Sequence, residues 1–165
     1  MLSAKHIIDG VSDTDFAPSQ SVTRAQFAAM IVRAFDLHAA KTAAFTDVNS
    51  SDWFADAVAA AAENGIVNGT SDNTFSPNEQ ITREQMTAMI VRAYQAKYGK
   101  AASSSANQHS AFNDASSISA WAADDVTIAV SLGLLQGRDG NLFAPQDQTT
   151  RAESAQVLYN VISKQ

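Results

Sequence analysis

At 165 residues the chain is long enough for one ordinary core, or for a few small repeats that share one. A formal charge of −6 with no long basic run excludes nucleic acid and anionic membrane surfaces as general partners, so any bound anion must be held by a few local cations. With no cysteine there are no disulfides or thiolate metal sites, and no apolar run reaches the roughly 18 residues that a membrane-spanning helix needs. Residues 1–10 lack a basic-then-apolar leader, as would a chain whose signal peptide had been removed.

In chain order, the first recognisable piece is Lys5-His6-Ile7-Ile8-Asp9-Gly10, which aligns with the later Asn64-Gly65-Ile66-Val67-Asn68-Gly69. His6 stands where that later copy has glycine, and histidine tolerates positive φ better than most residues. Phe16-Ala17-Pro18 follows, then Val22-Thr23-Arg24-Ala25-Gln26, which opens an apolar run at helical spacing through Phe27, Met30, Ile31 and Ala34. Thr23 with Gln26 three places on is a capping box, in which the hydroxyl and the longer side chain satisfy two helix-start amides.

Next, Phe45-Thr46-Asp47-Val48 and Trp53 lead into a helix predicted from about Asp52 to Asn64, ended by Gly65 in the left-handed cap position. A short apolar connector (Ile66-Val67), a loop led by Gly69, Phe75-Ser76-Pro77 and Ile81-Thr82-Arg83-Glu84-Gln85 come after it. The second capped helix carries Met86, Met89, Ile90 and Ala93 on one stripe. Residues 99–110, with Ala101-Ala102-Ser103-Ser104-Ser105, read as a solvated linker. The pattern then returns: Phe112-Asn113-Asp114-Ala115, Trp121, a helix from about Ala120 to Leu132, Gly133, Leu134-Leu135, Gly137, Phe143-Ala144-Pro145 and Thr149-Thr150-Arg151-Ala152-Glu153. The last helix shows the stripe more loosely, as Ser154, Val157, Leu158 and Val161.

The spacings agree throughout. Gly10 to Phe16, Gly69 to Phe75 and Gly137 to Phe143 are each six residues, and each Phe lies seven before its capping Thr. Trp53 to Gly65 and Trp121 to Gly133 are each twelve. The chain is therefore three repeats (1–40, 41–98 and 111–165, with the linker 99–110), the first lacking its first helix. One apolar stripe per second helix needs partners, and three such stripes meeting one another would close a shared core.

In every copy the first helical residue is an arginine: Arg24, Arg83 and Arg151. A cation at the positive end of a helix costs roughly 0.3–1 kcal/mol at exposed sites, so three such placements ask for a reason. A helix start with unpaired amides is an anion site, and a guanidinium there can hold a carboxylate with two parallel bonds. The plainer reading is a structural bridge to a neighbouring repeat's carboxylate, with Asp47 and Asp114 as partners. Those aspartates could equally cap the first helices or hold the loop before them. Trp53 and Trp121, large aromatics at a helix start, are core side chains on the plain reading and sugar-stacking faces on the other. Met30, Met86 and Met89 fill the core. Arg33 and Arg92 recur ten residues after the capping Thr, but Asn160 breaks the set, which suits solvated helix faces.

Catalysis finds little support. His6, His38 and His109 share no ligand spacing, no serine sits in a nucleophile elbow, and Asp124 and Asp125 are adjacent on a helix and so point apart. No enzyme and no cofactor is expected of this segment.

Phe-x-Asp-Val, Trp, Gly-Ile-Val-x-Gly, Phe-x-Pro and Ile-Thr-Arg-Glu-Gln, in that order, resemble the S-layer homology repeat, whose Thr-Arg-Ala-Glu signature stands unaltered at Thr150 to Glu153. The resemblance covers nearly the whole chain. It implies an all-α fold: three helix-loop-helix repeats in a three-pronged pseudo-trimer around a central bundle of the second helices. It also implies a secreted module at the bacterial surface that binds the cell wall non-covalently, commonly through a pyruvylated secondary wall polysaccharide.

Carried over, the resemblance makes Arg24, Arg83 and Arg151 charge partners of the ligand in grooves between repeats. Gly69, Ser71 and Gly137 would offer close backbone approach or a hydroxyl, and Asp47, Asp114, Trp53 and Trp121 would face the sugar. Removing Arg83 or Arg151 should then weaken binding without unfolding the chain. Gln26 and Gln85 depart from the signature Glu, and Arg138 in the third loop either adds a cation to its groove or blocks it. With one first helix missing, at most two competent grooves are expected. The alternative function is self-association of a surface layer, prong against prong.

Overall fold

The computed structural model describes residue 8 and residues 15–41, 45–99 and 111–163. His6, the first-repeat loop and residues 100–110 of the linker fall outside the described residues. Among the described residues five α-helices run in order: α1 (Arg24–Phe35), α2 (Ala55–Glu63), α3 (Arg83–Tyr98), α4 (Ala123–Ser131) and α5 (Arg151–Ile162), with a 3₁₀ turn at Ala115–Ser117 before α4. Among the described residues there are isolated β-bridges and no strand. The all-α expectation holds.

Local chemistry sets the helix ends. α1, α3 and α5 begin at their arginines, each behind a threonine cap with both halves of the capping box formed. α2 and α4 end at Gly65 (φ 69°) and Gly133 (φ 63°). The amide three places past each helix returns to a carbonyl of its last turn, Ile66 to Ala61 and Leu134 to Ala129, both at 2.8 Å. Both helices start about three residues later than the sequence suggests. Asp52 to Ala55 and Ser119 to Ala122 are single turns, closed by Ala55 N–H to the Asp52 carbonyl (3.0 Å) and Ala122 N–H to the Ser119 carbonyl (2.9 Å).

The three capped helices α1, α3 and α5 all touch one another, and their stripes form the core: Phe27, Ile31, Met86, Ile90, Leu158 and Val161 are buried. Each first helix packs on the second helix of the repeat before it, α2 on α1 and α4 on α3. The two helices of one repeat therefore do not pack on each other.

The repeats are laced by backbone bonds that run round the molecule and close. At the start of α1, Arg24 N–H reaches the Glu79 carbonyl (2.9 Å) and Ala25 N–H that of Pro77 (3.0 Å). At α3, Arg83 reaches Asp147 (2.9 Å) and Glu84 reaches Pro145 (3.0 Å). At α5, Arg151 reaches Gln20 (2.9 Å) and Ala152 reaches Pro18 (3.0 Å). Repeat 1 therefore leans on 2, 2 on 3, and 3 on 1. With the third amide bonded to the threonine cap, the exposed amide cradle expected from sequence is absent at all three starts.

Candidate functional site

The arginines cross the same boundaries. Arg24 donates from Nε to the Phe75 carbonyl (2.9 Å) and from Nη2 to the Asn68 carbonyl (3.5 Å), with its guanidinium 4.9 Å from the Phe75 ring centroid. Arg83 repeats this on Phe143 (2.8 Å), Gln136 (3.1 Å) and the Phe143 ring (5.2 Å). Arg151 does so on the Phe16 carbonyl (2.9 Å) and ring (5.1 Å). All three are buried. A charged hydrogen bond contributes about 1.5–3 kcal/mol and a desolvated cation–π contact about 2, which together outweigh the dipole cost. That answers the puzzle of a cation at a positive helix end. Burial pushes the Arg24 pKa down, opposed by the charges of Glu79 and Asp47, and burial with Arg138 pushes Arg83 down. Both stay cationic at neutral pH.

Asp47 and Asp114 do not pair with these arginines by hydrogen bonds. Each carboxylate grips the turn its neighbour's arginine touches. Phe75 and Ser76 donate their amides to Asp47 Oδ1 and Oδ2 (2.8 and 2.7 Å), and Phe143 and Ala144 do the same to Asp114 (2.8 and 2.7 Å). The grip has a purpose. The middle residue of each Phe-x-Pro has positive φ: Ala17 48°, Ser76 58° and Ala144 54°. A non-glycine residue there is strained by about 1–3 kcal/mol and must be held. In repeat 1, Asp15 Oδ1 supplies the bond, to Ala17 N–H at 2.8 Å. Burial would raise the Asp47 pKa, but the Phe75 and Ser76 amides and nearby Arg24 outweigh it and hold the carboxyl below its usual value.

Gly69 and Gly137 are required by crowding. A Cβ on Gly69 would sit 2.5 Å from the carbonyl oxygens of Ser71 and Thr74, and one on Gly137 would sit 2.9 Å from the Phe112 ring. Ser71 turns its hydroxyl onto Thr74 within its own loop.

The tryptophans contradict the core reading. Trp53 is 64% exposed and Trp121 52%, because the tight turns before α2 and α4 send the next residues, Phe54 and Ala122, inward instead. Each lines a cavity. Trp121 closes one of about 380 Å³ with Arg24 of repeat 1, Asn68, Gly69 and Thr70 of the repeat 2 loop, and Gln85, Ala88, Met89 and Arg92 of α3. Three of the residues singled out from sequence, Arg24, Gly69 and Trp121, thus meet in one groove to which all three repeats contribute. Trp53 lines a second cavity, about 730 Å³, between α1 and α2, with Arg33, Asp36, His38, Lys41 and Asp56. Arg33 and Arg92, read as merely solvated, occupy matching places on these walls; their recurrence at one spacing was the signal. Arg92 is also 3.5 Å from Asp125.

In the third loop, Arg138 pairs with Glu153 (2.6 Å) and with Asp147. Sequence reasoning missed Glu84, a buried carboxylate that accepts the Ser119 amide (3.0 Å) and hydroxyl (2.8 Å) and the Gln146 amide group (2.8 Å). No sequence signal marks it, since the other repeats have alanine there. Among the described residues no helix is long and apolar enough to cross a membrane.

Comparison with known proteins agrees with the repeats. The S-layer homology domain family matches residues 1–28, 44–87 and 111–155. The chain is 40% identical over 166 residues to the exoglucanase XynX of Acetivibrio thermocellus, covering 99% of the chain and 15% of that protein. It is 42% identical over 164 residues to an endoglucanase of Bacillus sp. (strain KSM-635), at 99% and 17% coverage. With the surface-layer 125 kDa protein of Lysinibacillus sphaericus it shares 32% over 159 residues, at 94% and 13%. The chain thus spans under a fifth of each of these relatives. Three matched segments and relatives aligned over nearly its full length place this chain in the S-layer homology domain family.

Proposed function

We propose that this chain is a non-catalytic anchor that binds a pyruvylated bacterial cell-wall polysaccharide at the bacterial surface. Support comes first from the relatives: glucanases and a surface-layer protein share this segment, so what it contributes is common to proteins with different work to do. The carrying observation is the groove in which Arg24, Gly69, Arg92 and Trp121 meet. Its two guanidinium groups suit a carboxylate, and its exposed indole offers an apolar face to a sugar ring. A ketal-linked pyruvate supplies both on one residue of a polymer. Arg151 with Trp53, and Arg83, are the corresponding elements of the other boundaries.

The test is co-sedimentation with bacterial wall sacculi, native and after mild acid has removed ketal-linked pyruvate. The proposal expects binding to native sacculi that is lost after acid. Equal binding to both points to a neutral glycan and overturns the carboxylate mechanism; binding to neither overturns the anchor.

A further inference from the structure

The Arg24 and Arg83 grooves have the same frame and different contents. After the loop glycine stands Thr70 in one and Arg138 in the other; the third helical residue is Gln85 in one and Glu153 in the other. Around Arg83 these changes bring a carboxylate onto the arginine. Glu153 Oε1 accepts from Arg138 Nη2 (2.6 Å), Arg138 Nε (3.2 Å) and Arg83 Nη1 (3.4 Å). Its other oxygen is fixed by the Thr150 amide at 2.9 Å, the capping bond of α5. Arg138 is anchored in turn by Asp147.

We infer that the Arg83 groove is occupied by the chain's own Glu153 carboxylate, with Arg138 as the positioning residue that holds it there, so that carboxylate ligands are taken at the Arg24 groove and refused at this one. The inference rests on the groove reading above. Glu153 fills the place on Arg83 that a ligand carboxylate would take. A competitor would have to leave Glu153 without its guanidinium partners or displace a capping bond, and it would enter a site whose two cations already face two anions. At the Arg24 groove the corresponding side chain is the neutral Gln85, and Thr70 turns its hydroxyl to Ser76 (2.7 Å). Arg24 Nη1 carries no hydrogen bond among the described residues, and Glu79 and Asp47 act on this arginine only through their charge.

The experiment follows the arginine Nε–H signals by NMR during titration with a methyl hexoside bearing a pyruvate ketal. In the wild type the Arg24 signal shifts and the Arg83 signal does not. Thr70→Arg/Gln85→Glu transplants the closed arrangement, and the Arg24 response weakens at least tenfold while the Arg83 signal and the amide spectrum stay in place. The reverse pair, Arg138→Thr/Glu153→Gln, keeps the capping box and makes Arg83 respond at millimolar ligand; the chain's two tryptophans line other cavities, so this response is weak. A wild-type Arg83 shift overturns the inference and leaves the groove reading standing, as does an undiminished Arg24 response in Thr70→Arg/Gln85→Glu or a silent Arg83 in the reverse pair. A silent Arg24 in the wild type overturns both.

Discussion

Arg24 and Phe75, 51 residues apart in the chain, are joined twice: Nε donates to the Phe75 carbonyl at 2.9 Å, and the guanidinium lies 4.9 Å from the centre of the Phe75 ring. The Phe75 amide meanwhile goes to Asp47. One residue of one repeat is therefore fixed by an aspartate of its own repeat and an arginine of the one before, and the same arrangement recurs at Phe143 with Asp114 and Arg83. The arginines hold the repeats together before they can hold anything else.

Arg83→Ala is therefore expected to destabilise the fold, by about 3 kcal/mol or more, since it orphans the Phe143 and Gln136 carbonyls and empties a buried site. Arg83→Lys recovers little, because an ammonium cannot serve two carbonyls and lie over a ring in one plane. Urea unfolding of both variants checks this. It replaces the expectation from sequence that an arginine can be removed at the cost of binding alone.

Strain in the Phe-x-Pro turn makes an opposite prediction at Ala144, whose φ is 54°. Ala144→Gly relieves left-handed strain and is expected to leave stability unchanged or raise it by up to about 1 kcal/mol. Asp114→Ala releases two amides and is expected to lose about 2 kcal/mol. The melting temperature should fall in Asp114→Ala and hold or rise in Ala144→Gly.

Acid should weaken the fold in a defined window. Burial raises the Asp47 and Glu153 pKa values, but hydrogen bonds to amides and, at Glu153, Arg138 and Arg83 outweigh it, so both are depressed in the folded state. Their stabilisation is complete above the unfolded carboxylate range of about 4 and disappears as pH falls through the lower folded values. Stability measured from pH 6 downward, in wild type and Glu153→Gln, should show a shallower acid loss in the variant, whose capping bond does not titrate.

Trp121→Ala separates fold from function. The side chain is 52% exposed, so the substitution is expected to change stability by no more than about 0.5 kcal/mol. Loss of the groove's aromatic wall is expected to weaken sugar binding by about tenfold or more, the scale of an interface hot spot. Unfolding curves and ligand titration on the same variant test both halves.

What the sequence made legible was local. Capping threonines, glycine stops and apolar stripes act within one helix, and α1, α3 and α5 begin at the residues that those signals mark. Sequence points to Asp47 and Asp114 as the partners of Arg24 and Arg83, whereas the structure gives them carbonyls, which every residue carries and no motif advertises, and gives Arg83 the Glu153 carboxylate as well. Trp53 and Trp121 look like core by composition; only the turn geometry ahead of α2 and α4 turns them outward. The packing of α2 on α1 instead of α3 depends on how the repeats interlock, and no spacing within one repeat contains it.

Isothermal titration of the unmodified chain with a wall disaccharide bearing a ketal-linked pyruvate, beside the same disaccharide without it, decides whether the groove recognises a carboxylate. Heat is expected from the pyruvylated sugar alone, at a stoichiometry of no more than two. Equal affinity for both sugars, or no binding to either while the chain self-associates as its concentration rises, would contradict it.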